Sequence, residues 1–340
     1  MSGTPPPQDR DGAALGLRLR ERDLAAAPAS LNLLESATRE DREQAAALLA
    51  EVSPAALGGE APGHVIGVTG PPGAGKSTLV DRITGRLRGE KLPVGVIAVD
   101  PSSPFTGGAV LGDRIRMQAH TLDPDVFIRS MATRGSLGGL SRATADVIKL
   151  MDAFGFPWII IETVGVGQTE LDIIRQVDTT VVALVPESGD SIQAMKAGLM
   201  EVADIFVVNK ADRDGAHALM AELRFSVHLH YTSGAAPKDA DWEVPVLAAQ
   251  AANDVGTDEL MGQVKRHRAT LEQAGALETR RQARRRAELE ALLVEEFTAQ
   301  VTARVQTDAA LGATIDAVTA GRLDPYSAVA EILAKSLRRP

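Results

Sequence analysis

The chain has 340 residues, room for two domains or for one domain with extensions. Apolar residues make up 44% and charged residues 24%, which excludes a disordered chain. The absence of cysteine excludes disulfide frameworks, thiolate metal sites and cysteine nucleophiles. A net charge of −9 with 3% aromatics argues against nucleic-acid binding, and no apolar run approaches the roughly 18 residues of a membrane span, so a soluble, cytoplasmic protein is expected.

In chain order, residues 1–13 (MSGTPPPQDRDGA) are Pro- and Gly-rich, carry no apolar signal core and read as a solvated tail. Residues 14–60 read as a helical extension rich in Ala, Leu, Arg and Glu, with Ser36 or Thr38 as a capping residue before an acidic first turn. From residue 61 the texture changes. Short β-branched runs alternate with amphipathic stretches: VIGVT (65–69), VGVIAVD (94–100), VFIRSM (126–131), WIIIETV (158–164), TTVVALV (179–185), DIFVVN (204–209) and VPVLA (244–248). Each is apolar on both faces, the pattern of a parallel strand covered by helices. Leu140, Ala143, Val147, Met151 and Phe154 recur at helical spacing between two such runs. The alternation predicts an α/β domain over 61–260, a doubly wound and mostly parallel sheet with helical extensions at both ends. Residues 261–340 read as helix, and Leu289, Leu293, Phe297, Val301 and Val305 form an apolar row four apart that needs a partner surface.

The strongest chemical signal is GPPGAGKST: Gly70, Pro71, Pro72, Gly73, Ala74, Gly75, Lys76, Ser77 and Thr78. It fits G-x-x-x-x-G-K-[ST] between a strand and a helix. Glycines let successive backbone N–H groups face phosphate oxygens, and the helix N-terminus adds partial positive charge. Lys76 is expected on the β- and γ-phosphates and the Ser77 hydroxyl on Mg²⁺. The second signal is NKAD, with Asn209, Lys210 and Asp212. An Asp carboxylate there accepts two hydrogen bonds from guanine and is left unpaired by adenine, which makes rejection strong. Asn209 is expected to tie this loop to the phosphate loop. Ala248, Ala249 and Gln250 stand where GTPases place a base-contacting S-A-x loop, so contact there must come from the main chain.

A third signal is acidic. Glu162 ends an apolar strand with Gly165 three residues on, where small GTPases use D-x-x-G. Asp100 ends another strand, and Asp113 sits in GAVLGDR. Ser77, Asp100, Asp113 and Glu162 are the metal candidates, and a magnesium nucleotide needs only one or two protein carboxylates. Lys76, Asp100 and Glu162 are the catalytic candidates, and Gln168 is a candidate for positioning water. The cluster of Arg280, Arg281, Arg284, Arg285 and Arg286 has Glu288 and Glu290 at i+4 and reads as a paired helix face. His228 and His230 have metal-like spacing only on a strand.

With GPPGAGKST, VDPSSPFTGGAVLGDRIRM, ETVGVGQTE and VPESGDSIQAMKAGLMEVADIFVVNKAD on one chain, residues 64–260 resemble the MeaB/ArgK family of GTPases. The resemblance implies a homodimeric chaperone that uses GTP and Mg²⁺ to gate cofactor loading and protection of an adenosylcobalamin-dependent acyl-CoA mutase, typically methylmalonyl-CoA mutase. It implies no nucleic-acid or membrane partner. Pro104, Phe105 and Thr106 depart from the family pattern, whereas Pro186 to Gly198 match a switch loop in which Glu187, Asp190, Gln193 and Lys196 face signalling roles. With no arginine finger evident in the chain, intrinsic hydrolysis is expected to be slow. The competing reading is a small-molecule kinase using GTP, which needs an acceptor pocket for which no motif is present.

Overall fold

The structure, a computed structural model, describes residues 10–36, 38–59, 63–100, 120, 122–132, 139–163, 165, 174–186, 199–232 and 242–336. All seven expected strands form: β1 (His64–Thr69), β2 (Val94–Asp100), β3 (Val126–Ala132), β4 (Trp158–Glu162), β5 (Thr179–Leu184), β6 (Ile205–Val208) and β7 (Val246–Ala248). They make one all-parallel sheet in the order β3-β2-β4-β1-β5-β6-β7. The chain starts at the centre with β1, is led outward to β2 and β3 on one side, and returns through β4 to build the other side from β5. The carboxyl end of β1 therefore lies at the topological switch point, where open α/β sheets bind ligands.

Alternate residues of β1, β2 and β4 enter two separate cores, whereas the buried apolar residues of β5 and β6 all enter the first. Ile66, Val68, Val94, Val96 and Ile160 meet the helices α4 (Lys76–Gly89), α6 (Ala216–Thr232) and α7 (Thr257–Gln273) through Leu79, Ile83, Leu223 and Val264. Val65, Ile97, Val99, Ile159 and Ile161 meet α5 (Gly139–Phe154) together with α1 (Gly12–Arg20), α2 (Ala27–Glu35) and α3 (Arg39–Glu51), which contribute Leu15, Leu19, Leu31 and Leu48. The N-terminal helices thus join the core on the α5 side of the sheet. Of the two capping candidates Thr38 is the N-cap: its hydroxyl accepts from Asp41 N at 3.2 Å, while the Ser36 hydroxyl donates to the Asp41 carboxylate at 2.6 Å.

At the amino ends of the strands, away from the switch point, runs a buried polar chain. His64 Nε2 lies 2.7 Å from Thr179 Oγ1, which lies 2.8 Å from His267 Nδ1. His267 Nε2 is 3.3 Å from Asp204, and Arg280 donates to Asp204 Oδ1 and to Asp178 O, both at 3.2 Å. These contacts hold α7 and the first turn of α8 (Ala276–Thr307) against the sheet. The buried histidines are therefore His64 and His267, whereas His228 and His230 lie on the helix α6.

The chain divides into two compact units, Met1–Arg280 and Arg281–Pro340, with the division inside α8. In the second unit α8 is followed by α9 (Ala309–Thr319), capped by Asp308 accepting from Ala310 N, and by α10 (Pro325–Ser336). Leu311 and Thr314 of α9 and Ala328 of α10 are buried, and Thr314 donates to Glu331. Leu289, Leu293, Val294 and Phe297 of α8 are exposed. Among the described residues no helix is long and apolar enough to cross a membrane.

Candidate functional site

The loop after β1 turns on glycines that adopt backbone angles L-residues avoid: Gly70 at φ +143°, Gly73 at +77° and Gly75 at +84°. Gly70 passes so close to β5 that a Cβ on it would sit 2.0 Å from Ala183 O, while Gly73 faces open space. Helix α4 starts directly at Lys76, with no acidic residue in its first turn to offset the positive end of its dipole. Successive positive-φ turns running into a helix N-terminus form an anion cradle.

Lys76 is buried, and its ammonium donates to Gly70 O at 2.8 Å and Pro71 O at 3.0 Å, so the loop's own carbonyls hold the cation in the cradle. Parallel register sets Glu162 beside Val68, two residues before Gly70. Its Oε1 accepts from the Ser77 hydroxyl at 2.6 Å, and both side chains are buried. A hydroxyl and a carboxylate converging beside a phosphate-type loop are the oxygen donors that a hard divalent cation takes. The residues present therefore fit a magnesium nucleotide. Asp100 ends β2, two strands from β1; its side chain, like Asp113 and Gln168, lies outside the described residues. So do 104–106 and Glu187, Asp190, Gln193 and Lys196. Among the described residues no cluster of three or more His, Asp or Glu is suited to a metal.

Beyond Glu162, Thr163 donates to Thr69 Oγ1 at 2.8 Å, and Thr69 donates to Gly165 O at 2.9 Å. These two buried hydroxyls tether Gly165 to the end of β1. The sequence assigned neither a role, although Thr163 lies within ETVGVGQTE, because threonines near strand ends are unremarkable in sequence.

The loop after β6 lies against the same cradle. Asn209 Nδ2 donates to Ala74 O at 2.9 Å, and its Oδ1 accepts from Ala251 N at 3.0 Å. Lys210, at φ +55°, extends its ammonium to Gly73 O at 2.9 Å. Asp212 is exposed two residues on. Ala249 is clasped by the same loop, donating to Val208 O at 2.9 Å and accepting from Ala211 N at 3.0 Å. The residues Gly70–Thr78, Glu162, Gly165, Asn209–Asp212 and Ala248–Gln250 are thus brought to one end of the sheet.

The family profile described as methylmalonyl Co-A mutase-associated GTPase MeaB matches residues 24–306. The chain belongs to the MeaB family of GTPases. A Pyrococcus abyssi protein named as a GTPase is 46% identical over 316 residues, covering 93% of this chain and 94% of its own. The GTPase ArgK of Escherichia coli is 38% identical over 270 residues, covering 78% of each. Among solved structures, that of a LAO/AO transport system kinase superposes on 97% of this chain and 98% of its own, with a TM-score of 0.69 and 27% identity. The fold and membership of this MeaB-family GTPase thus agree with the resemblance carried by its motifs.

Proposed function

We propose that this MeaB-family GTPase binds GTP with Mg²⁺ at the carboxyl end of β1, hydrolyses it slowly to GDP and phosphate, and uses the cycle as a chaperone. The client is an adenosylcobalamin-dependent acyl-CoA mutase of the methylmalonyl-CoA mutase type, whose cofactor loading and protection it gates. The family profile's own description, which names that mutase, supports the choice of client. The observation that carries the chemistry is the 2.6 Å contact between Ser77 and Glu162 beside the buried Lys76.

In this reading Lys76 leaves the carbonyls of Gly70 and Pro71 for the β- and γ-phosphates. Ser77 and Glu162, with Asp100 and Asp113 as further carboxylates, would hold the metal. Bound Mg²⁺ offsets charge that develops on the phosphate oxygens. Gly165 offers its N–H to the γ-phosphate, held by Thr69 and Thr163. Asp212 accepts from guanine, Lys210 runs along the base and the main chain of Ala248–Gln250 closes the pocket. The exposed apolar side chains of Leu289, Leu293 and Phe297 support a homodimer formed through α8.

The test is GTP turnover with and without a purified methylmalonyl-CoA mutase, with Lys76→Ala as the control. Slow release of inorganic phosphate, accelerated by the mutase and abolished by Lys76→Ala in a folded protein, is expected. Transfer of the phosphoryl group to a small acceptor, or a folded Lys76→Ala variant with normal turnover, overturns the reading.

A further inference from the structure

Helix α4 carries Lys76 and Ser77 at its start, and it also grips the loop at the other end of the site. Arg82 Nε donates to Ala251 O at 3.0 Å and Arg82 Nη2 to Ala252 O at 3.2 Å. One turn on, Arg86 Nη2 lies 2.9 Å from Asp254 Oδ2 and donates to Thr257 Oγ1 at 3.2 Å, with Nε 2.7 Å from Asp258 Oδ1. Thr257 in turn donates to Asp254 Oδ1 at 2.6 Å. The segment so gripped continues directly from Ala248–Gln250. It is strained as well as anchored. Asp254 sits at φ +56° and Gly256 at +79°, and a Cβ on Gly256 would lie 2.3 Å from Ala248 O.

The two arginines contribute differently. Asp258 is largely exposed, so its pairing with Arg86 adds little. Arg82 instead places a charged donor on two backbone carbonyls, one of them belonging to the buried Ala251. Ala251 is then fixed on both sides, its N–H by Asn209 and its C=O by Arg82. Six residues of helix, about 9 Å of rise, separate Lys76 from Arg82. A rigid rod of that length joins the phosphate cradle to the base loop.

We propose that Arg82 and Arg86 are positioning residues for purine-base recognition: through α4 they hold the Ala248–Gln250 main chain at a set distance from the phosphate cradle. The proposal rests on the guanine reading of the site. Neither arginine touches the nucleotide, and their effect passes through the loop they hold.

The experiment measures dissociation constants of GTP, ATP and inorganic tripolyphosphate, each with Mg²⁺, for wild type and the Arg82→Ala/Arg86→Ala variant. Loss of charged hydrogen bonds to the loop is expected to weaken GTP about 10- to 30-fold and to narrow the GTP-over-ATP preference by a similar factor. Tripolyphosphate binding should stay within about twofold, because the cradle itself is untouched, and the kinetic loss should fall on KM. Arg82→Lys, which restores one donor, should recover part of the preference and serves where the double variant folds poorly. An unchanged GTP-over-ATP ratio in a folded variant overturns the clamp while leaving the guanine site standing. Equal weakening of tripolyphosphate also overturns it, because the arginines then act on the whole fold. A wild type that binds GTP and ATP alike overturns the guanine reading itself, and the clamp with it.

Discussion

Asn209 is the side chain on which the two halves of the site depend, and its removal has a calculable effect. It is 3% exposed and spans two loops, donating to Ala74 O at 2.9 Å and accepting from Ala251 N at 3.0 Å. Asn209→Ala leaves a buried carbonyl and a buried N–H without these partners. Each orphaned group costs about 1–3 kcal/mol, and water entering the small void recovers part, so a net loss of about 2–4 kcal/mol is expected. At a urea m-value of about 2 kcal/mol/M, the unfolding midpoint falls by about 1–2 M. Trp158 and Trp242 are both buried in the unit that holds the site, so their fluorescence reports its unfolding. Asn209→Asp sharpens the test. The introduced carboxylate keeps an acceptor for Ala251 N but sets a second acceptor against Ala74 O. Burial and that carbonyl raise its pKa in the folded state above the unfolded value near 3.9. A raised folded pKa means that stability is present at low pH and lost as pH rises, so the deficit from wild type should be larger at pH 7 than at pH 5. A stability loss below about 0.5 kcal/mol for Asn209→Ala, or an Asn209→Asp deficit that ignores pH, would refute the reasoning.

Three further outcomes are expected. Asp212→Asn presents a donor where guanine also donates, so competition binding with GTP, XTP and ATP should show xanthine nucleotide gaining relative to guanine; an unchanged ranking counts against the base pocket. Leu293→Glu with Phe297→Glu should turn a dimer into a folded monomer that still binds GTP, read by sedimentation, because buried apolar side chains contribute about 1.5–3 kcal/mol each; a wild type that is monomeric at micromolar concentration contradicts the α8 interface. Finally, the Thr257 hydroxyl and the guanidinium groups of Arg86 and Arg82 hold Asp254 below the usual carboxylate range, and Arg88 does the same for Asp123. Lowered folded pKa values stabilise the protein above the unfolded pKa and cease to do so as pH falls through the folded one. Urea midpoints should therefore show these contributions intact from pH 7 to 5 and lost below about pH 4, with a smaller acid loss in Arg88→Ala.

Much of this protein is local enough to be written in its sequence. Seven apolar, β-branched runs become seven strands because a parallel strand covered on both faces needs apolar residues at every position. GPPGAGKST specifies its own geometry, since only glycine adopts the turns at positions 70, 73 and 75 without strain, and Lys76 can open a helix. NKAD and the glutamate closing WIIIE are likewise short motifs at strand ends, where a strand's direction alone carries them to one edge. Other features depend on partners far along the chain. Leu15 and Leu19 read as part of an N-terminal helical extension; in the structure they join the core in which α5 meets Val65, Ile97 and Ile159, because that side of the sheet is apolar. His64 and His267 look ordinary in sequence. They form a buried chain because the strand order brings Thr179 of β5 beside β1 and lays α7 across their ends. Arg82 and Arg86 read as polar positions on an amphipathic helix. Only the packing of α4 beside the loop 170 residues later gives their guanidinium groups carbonyls and carboxylates to hold.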